Sequence, residues 1–329
     1  MMRKITRRTA LALGIAACTL AGATGSFAQD KMRIRFSTVF NEQDIRANIV
    51  KQFSNAIADD FDFEAYYNGT MFKQGTEIIA IQRGNLEMSD LPPQDIANLV
   101  PEWSLLTAAY LFRDADHLTR FFESDAGQEM KGMAEDKLNI KILGPIYNGT
   151  RQVGLRIDKE IKTPADMNGV KLRMPGGESW QFLGQALGAN PTPMAYAEVY
   201  TGLQIGAIDG QDNPLSNVQA MKFYEVMSQI VETSHILGYT LLTVSKDAWD
   251  KMSPEQQQKF QAAADAAIAA NNELQLQKEV ELVGFMKEHG LKVYKPDVDA
   301  FRAYAQDMYK KSDIAKNWPE GMLERINAL

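Results

Sequence analysis

Four polar side chains of this sequence stand beside short apolar runs: Arg151 after YNGT at 147–150, Arg173 in VKLRM at 170–174, Tyr196 after TPM at 192–194, and Asn213 in GQDNP at 210–214. Arginines so placed suit anion binding, because the planar guanidinium fork matches a carboxylate with two parallel hydrogen bonds. Arg173 is followed by PGG at 175–177, which removes side-chain bulk beside it, and by a helix start that also favours negative charge. For Arg151 alone, a salt bridge to a neighbouring acid is the stronger explanation. Read as loop positions, three of the four residues come directly after strands, which is where open α/β sheets bind ligands.

Signs of catalysis or metal chemistry are few. The three histidines, His117, His235 and His289, are widely separated and form no His-x-x-x-His pair, and there is no Cys-x-x-Cys. They read as a helix-start residue beside Asp116, a loop or core residue, and a cation at a helix C-terminus. Gly177-Glu-Ser179-Trp-Gln181 lacks the closing glycine of a nucleophile elbow, and Ser179 falls where a helix cap would sit. Neither a GxGxxG nor a Walker-type loop is present. No catalytic residue, metal or cofactor is expected.

The elements that must position these residues follow a leader. Arg3, Lys4, Arg7 and Arg8 precede an apolar run at 9–20, and Ser26-Phe27-Ala28 supplies a small-x-small cleavage site, so residues 1–28 read as a signal peptide and the periplasm as the destination. TRRT at 6–9 is a partial twin-arginine signal, and IAAC at 15–18 resembles a lipobox that would lipidate Cys18, the only cysteine. Removing the four leader cations from 35 Lys+Arg leaves 31 against 42 Asp+Glu, a net charge of −11. Such a surface repels nucleic acid and anionic lipid and makes an anion-binding arginine a local exception.

Roughly 300 mature residues exceed one compact core and suggest two domains. MRIRF at 32–36 alternates as a half-buried strand, Ile45, Ile49, Phe53 and Ile57 recur at helical spacing, 61–67 and 86–91 read as strands, and 76–83 as a helix. The rhythm returns with strands at 170–174, 192–194 and 207–209 and helices at 179–187, 197–205 and 216–224. This is an α/β pattern with a largely parallel sheet, in two units that imply a cleft between them. SPEQ at 253–256 is a capping box, and no strong breaker follows until Gly290. The resulting helix, about 50 Å long, reads as a brace across both units.

Several longer motifs accompany these features: YNGTR at 147–151, IKTPADMNG at 161–169 leading into KLR at 171–173, GANPTPM at 188–194, EVY at 198–200, DGQDNP at 209–214 and KFYEV at 222–226. Through them, from about residue 32 onward, the chain resembles the substrate-binding proteins of tripartite ATP-independent periplasmic (TRAP) transporters, the DctP family. In this middle region it is most similar to the sialic-acid binders. The resemblance implies a two-domain periplasmic-binding-protein-like α/β fold with a central cleft and a long domain-spanning helix. Its domains would be 29–150 with about 239–278, and 151–238 with about 279–329. It further implies binding without catalysis: Arg173 holds the ligand carboxylate, Asn213 assists, Arg151 is a second cleft arginine, and Tyr196 stands where the family usually packs a Phe. Asp212 replaces the family's glutamate.

The expected partners are a small organic carboxylate and the small and large membrane subunits of a TRAP permease; nucleic acid is not among them, and the protein is expected to act as a monomer. The first domain departs most from the sialic-acid binders, and Pro92, Pro93, Trp103 and Trp180 suggest a smaller or more apolar acid, with Trp180 included among the ligand-binding residues. An exported enzyme acting on an acid and a receptor feeding a sensor are the alternatives.

Overall fold

Alternation in MRIRFS buries Ile34 and Phe36 and leaves Arg33 and Arg35 toward solvent, so Met32–Ser37 forms strand β1. The computed structural model describes residues 31–329. The expected leader, with Cys18 and the expected cleavage site, lies outside the described residues. Among them, no helix is long and apolar enough to cross a membrane.

After β1 come helix α1 (Ala47–Ile57), β2 (Phe61–Tyr66), α2 (Glu77–Gln82), β3 (Met88–Leu91) and α3 (Pro93–Ala97). Helices α4 (Ala115–Glu123) and α5 (Asp125–Leu138) then lead into β4 (Ile140–Leu155). The next stretch contains β5 (Lys171–Met174), α6 (Glu178–Ala186), β6 (Asn190–Pro193), α7 (Val199–Gln204), β7 (Gly210–Pro214) and α8 (Leu215–Ala220). The chain closes with β8 (Gln229–Ser245), α9 (Lys246–Trp249), α10 (Pro254–Glu288), β9 (Lys292–Tyr294), α11 (Val298–Lys311) and α12 (Met322–Asn327).

All nine strands join one mixed sheet in the order β2-β1-β3-β8-β4-β7-β5-β6, with β9 beside β8. The expected parallel pairs occur at its two ends, β1 with β2 and β3, and β5 with β6 and β7. Its middle is antiparallel, which corrects the expectation of a largely parallel sheet. The long strands β4 and β8 pair from Ile140↔Ser245 to Leu155↔Gln229, with irregularities at Ile142/Gly144, Tyr147/Gly149 and Arg151/Val153. β3 pairs with the end of β8, and β7 with the end of β4. Because β4, β8 and α10 are shared by both ends of the sheet, Met32–Leu329 packs as one compact unit.

Other expectations shift locally. The third strand of the second unit is Gly210–Pro214 rather than 207–209, because a residue with a Cβ at 210 would collide with the Gly154 carbonyl oxygen at 2.6 Å, and glycine lets β7 close on β4. Helix 216–224 stops at Ala220: Lys222 adopts a left-handed φ of 56°, and Phe223–Val226 continues as a single 3-10 turn. Ser179 is not a cap, since α6 is capped at Gly177, whose φ of 103° and closeness to Asn98 exclude a side chain.

The capping box begins α10 as expected. Ser253 accepts from the Gln256 N–H at 3.2 Å, Gln256 accepts from the Ser253 N–H at 3.0 Å, and the helix then runs 35 residues. Its first half inserts Phe260, Ala264 and Ile268 into a core with Phe36, Phe53 and Phe61, where Phe53 and Phe260 meet edge-on at 4.8 Å. Its second half gives Leu282 and Met286 to a separate core with Val199, Leu203 and Phe223. Between them the helix turns a polar face to β4: Asn272 accepts from the Tyr147 N–H at 2.9 Å, and Glu279 accepts from the Tyr147 hydroxyl at 2.7 Å. The sequence-derived brace is thus one helix pinned in two apolar cores, with a hydrogen-bonded seam in the middle.

Candidate functional site

Strand register brings the sequence-derived residues together. Arg173 in β5 lies beside Gln211 of β7, and two residues on, Asn213 faces Gln152 of β4, next to Arg151. Arg151, Arg173 and Asn213 are therefore strand residues, not loop residues, and pairing rather than chain order makes them neighbours. Tyr196 begins a 3-10 turn after β6, and Trp180 lies in the first turn of α6. All five line one cleft of about 770 Å³, solvent at its mouth included.

The three arginines of this cleft differ in their partners. Arg46, beside α1, is held by Asp44 at 2.9 and 2.8 Å and by Asp90 at 3.4 Å. Arg151 grips Asp212 with Nε to Oδ2 at 2.7 Å and Nη2 to Oδ1 at 3.0 Å, and lies 4.9 Å over the Trp180 ring. Asp212 also meets His235 Nε2 at 3.1 Å; burial pushes its carboxyl up, but Arg151 and His235 together hold it well below the usual carboxylate range. The salt-bridge explanation thus accounts for Arg151, with Asp212 as its partner.

Arg173 has no such acid. It is 1 % exposed, yet its polar contacts are the Met194 carbonyl, taken by Nε at 2.9 Å, and Gln74 Oε1, taken by Nη2 at 3.1 Å. Among the described residues it forms no ion pair. Burial pulls its pKa down to about 10, against the opposing charge of Asp212. A guanidinium in this condition is deprived of water without an acid in direct contact, so an anion that enters the cleft meets a cation whose desolvation cost is already met. Asn213 Nδ2 donates to Gln211 Oε1. Of PGG, Pro175 lines the cleft, while Gly177 serves the turn into α6.

The rest of the lining is more polar than Pro92, Pro93 and the tryptophans suggest. Both prolines line the cleft, but so do Glu77, Asp90, Gln94, Asp95, Asn148 and Asn217. Trp103 is absent from it: fully buried, its indole N–H donates to the Met130 carbonyl at 2.8 Å. The lining therefore gives no support to the expectation of a smaller or more apolar acid. Burial raises Glu77 to about 8, Asp95 to about 7 and Asp90 to about 6. Sequence reasoning missed these acids because they are spread among 42 acidic residues, most of them on solvated faces. Among the described residues, no group of three or more His, Cys, Asp and Glu is placed to hold a metal ion. His235 is fully buried behind Asp212, bonded to Thr233 Oγ1 at 2.8 Å, and does not face the cleft.

Comparison with known proteins places this geometry. Residues 36–316 match the model of the bacterial extracellular solute-binding proteins, family 7 (DctP). The sialic acid-binding periplasmic protein SiaP of Vibrio cholerae is 36% identical over 214 residues, 65% of this chain and 66% of its own. The crystal structure of a TRAP periplasmic solute-binding protein from Roseobacter denitrificans with bound 3-deoxy-D-manno-oct-2-ulosonic acid (KDO) superposes with a TM-score of 0.89 at 46% identity, covering 91% of this chain and 99% of that one. A second structure from that organism, with bound L-galactonate, gives a TM-score of 0.81 at 26% identity and covers 91% and 98%. These relatives are solute-binding proteins, not enzymes, and share the two-domain α/β fold with its long helix. The chain belongs to the DctP family of bacterial extracellular solute-binding proteins, family 7, which serve TRAP transporters.

Proposed function

We propose that this protein is the periplasmic receptor of a TRAP transporter: it captures a sugar acid, with KDO the first candidate, through a salt bridge to Arg173 and hands it to the small and large membrane subunits of the permease. The observation that carries the reading is Arg173 itself, a fully buried guanidinium without an acid partner in the lining of this cleft. Asn213, Arg151, Tyr196 and Trp180 line the cleft with it, Arg151 acting mainly by fixing Asp212 and Trp180. Residues 29–150 with about 239–278, and 151–238 with about 279–329, form the two lobes that close on the ligand. Closure is favourable only where the acid touches both lobes better when they are shut.

Magnitudes require more than the arginine. A charge-assisted hydrogen bond contributes about 1.5–3 kcal/mol, whereas micromolar affinity needs about 8 kcal/mol. The remaining contacts must come from the polar wall, which suits a polyhydroxylated acid; the KDO and L-galactonate relatives support the same class. A thermal-shift screen of KDO, sialic acid, aldonates, dicarboxylates and 2-oxo acids tests the reading. Stabilisation by KDO or another sugar acid is expected, and hits confined to neutral sugars or amines contradict it.

A further inference from the structure

The cleft is chemically lopsided. Arg173 lacks an anion, while Glu77 at the start of α2 and Asp95 in α3, 5 % and 8 % exposed, have no cation within ion-pair distance and their neighbour Asp90 shares Arg46 with Asp44. Three further polar atoms on the same cleft residues are buried without a hydrogen-bond partner: the indole Nε1 of Trp180, the hydroxyl of Tyr196 and the Oδ1 of Asn148. Burial raises the Asp95 carboxyl and the nearby Trp180 indole N–H opposes that shift, although the N–H does not reach hydrogen-bond geometry. Buried polar atoms in native proteins are rarely left unpaired, so these three atoms describe what is missing.

We infer that Glu77 and Asp95, with Trp180 beside them, form a hydroxyl-reading subsite that admits polyhydroxylated monocarboxylates and rejects acids bearing a second anionic group at the far end. The inference rests on Arg173 taking the carboxylate, as proposed above. A hydroxyl both donates and accepts, so it can satisfy the donor-only indole, the acceptor Asn148 Oδ1 and either carboxyl in whichever protonation state it holds. An ammonium group has no acceptor to offer Trp180. A second carboxylate or a phosphate would be desolvated beside two carboxyls with no cation in ion-pair contact: an ionised carboxyl repels it and a protonated one leaves its charge unbalanced, which costs several kcal/mol. The missing cation here selects by exclusion.

The test is calorimetric titration of the full protein with matched pairs: L-galactonate and D-gluconate against galactarate and glucarate, which differ at the terminal carbon, together with KDO. Wild type should bind a hydroxylated monoacid at least ~100-fold more tightly than any diacid of the panel. The single variants Glu77→Gln and Asp95→Asn and the double variant should shrink that ratio, the double variant at least ~10-fold, with thermal melts confirming folded protein. A diacid bound as tightly as its monoacid, a ratio unchanged in all three variants, or no binding by any of the compounds overturns the inference. Arg173→Ala separates the two levels. If it abolishes binding while the ratio in the acid variants is unchanged, only the hydroxyl subsite falls; if binding survives it, the carboxylate reading itself falls.

Discussion

Arg173 Nη2 donates to Gln74 Oε1 at 3.1 Å, and that same oxygen accepts the backbone N–H of Tyr196 at 2.8 Å. One neutral amide, supplied by the segment between β2 and α2, thus occupies part of the donor array that a ligand carboxylate would use. The amide is a weaker partner than an anion, so it can be displaced.

Gln74→Glu should turn this placeholder into an internal competitor. A carboxylate at position 74 would pair with Arg173, raise the melting temperature of the ligand-free protein, and weaken acid binding by about 10- to 100-fold, the worth of a charge-assisted bond. Titration calorimetry and a thermal melt of the same variant check both halves; unchanged affinity would show that Gln74 lies outside the ligand's path.

Asp212→Asn removes the counter-charge that Arg151 uses at 2.7 Å and that offsets the desolvation of Arg173. Breaking a buried pair from one side costs about 3–5 kcal/mol. Because Asp212 is held below its ordinary range, its contribution to stability is present at neutral pH and is lost only as pH falls through its lowered folded value. The variant should therefore melt well below wild type at pH 7 by differential scanning calorimetry.

Glu77 has the opposite sign. Burial raises it to about 8, with Asp95 and Asp90 adding repulsion and the N–H groups of Glu77 and Gly75 opposing. The folded protein binds more protons there than the unfolded chain between pH 5 and 8, so stability falls as pH rises through that window. Glu77→Gln should stabilise the ligand-free protein by about 1–3 kcal/mol at pH 8, with the gain shrinking toward pH 5. Urea titrations at both values measure it; an equal gain at pH 5 and pH 8 would contradict the assignment.

Phe260→Ala tests the brace. Its ring meets Phe53, Phe61 and Trp249 edge-on and is fully buried, so truncation should cost about 3–5 kcal/mol. A two-state urea transition with a lowered midpoint and an unchanged slope is the expected signature.

Much of this was legible in the sequence where local chemistry decides it. The alternation of MRIRFS, the Ser253 capping box and Arg173 at the end of an apolar run each carry their own signal. β4 and β8 do not: QIVETSHILGYTLLTVS is buried along nearly its whole length, so it offers no period of two to read. The acid wall was hidden for a different reason. Nothing local distinguishes Glu77 or Asp95 from an exposed acid; both are buried by segments distant in sequence, including α6 with Trp180. Arg151 was readable as a cation but not as one already paired, because its partner lies 61 residues away.

The central claim is that Arg173 holds the ligand carboxylate, and titration of wild type and Arg173→Ala with KDO tests it most directly. Wild type should bind at micromolar or tighter affinity. Arg173→Ala should show no measurable heat of binding while its ligand-free melting temperature stays level or rises, since the substitution removes a buried charge that has no acid partner. Arg173→Ala protein that still binds KDO with wild-type affinity would contradict the account.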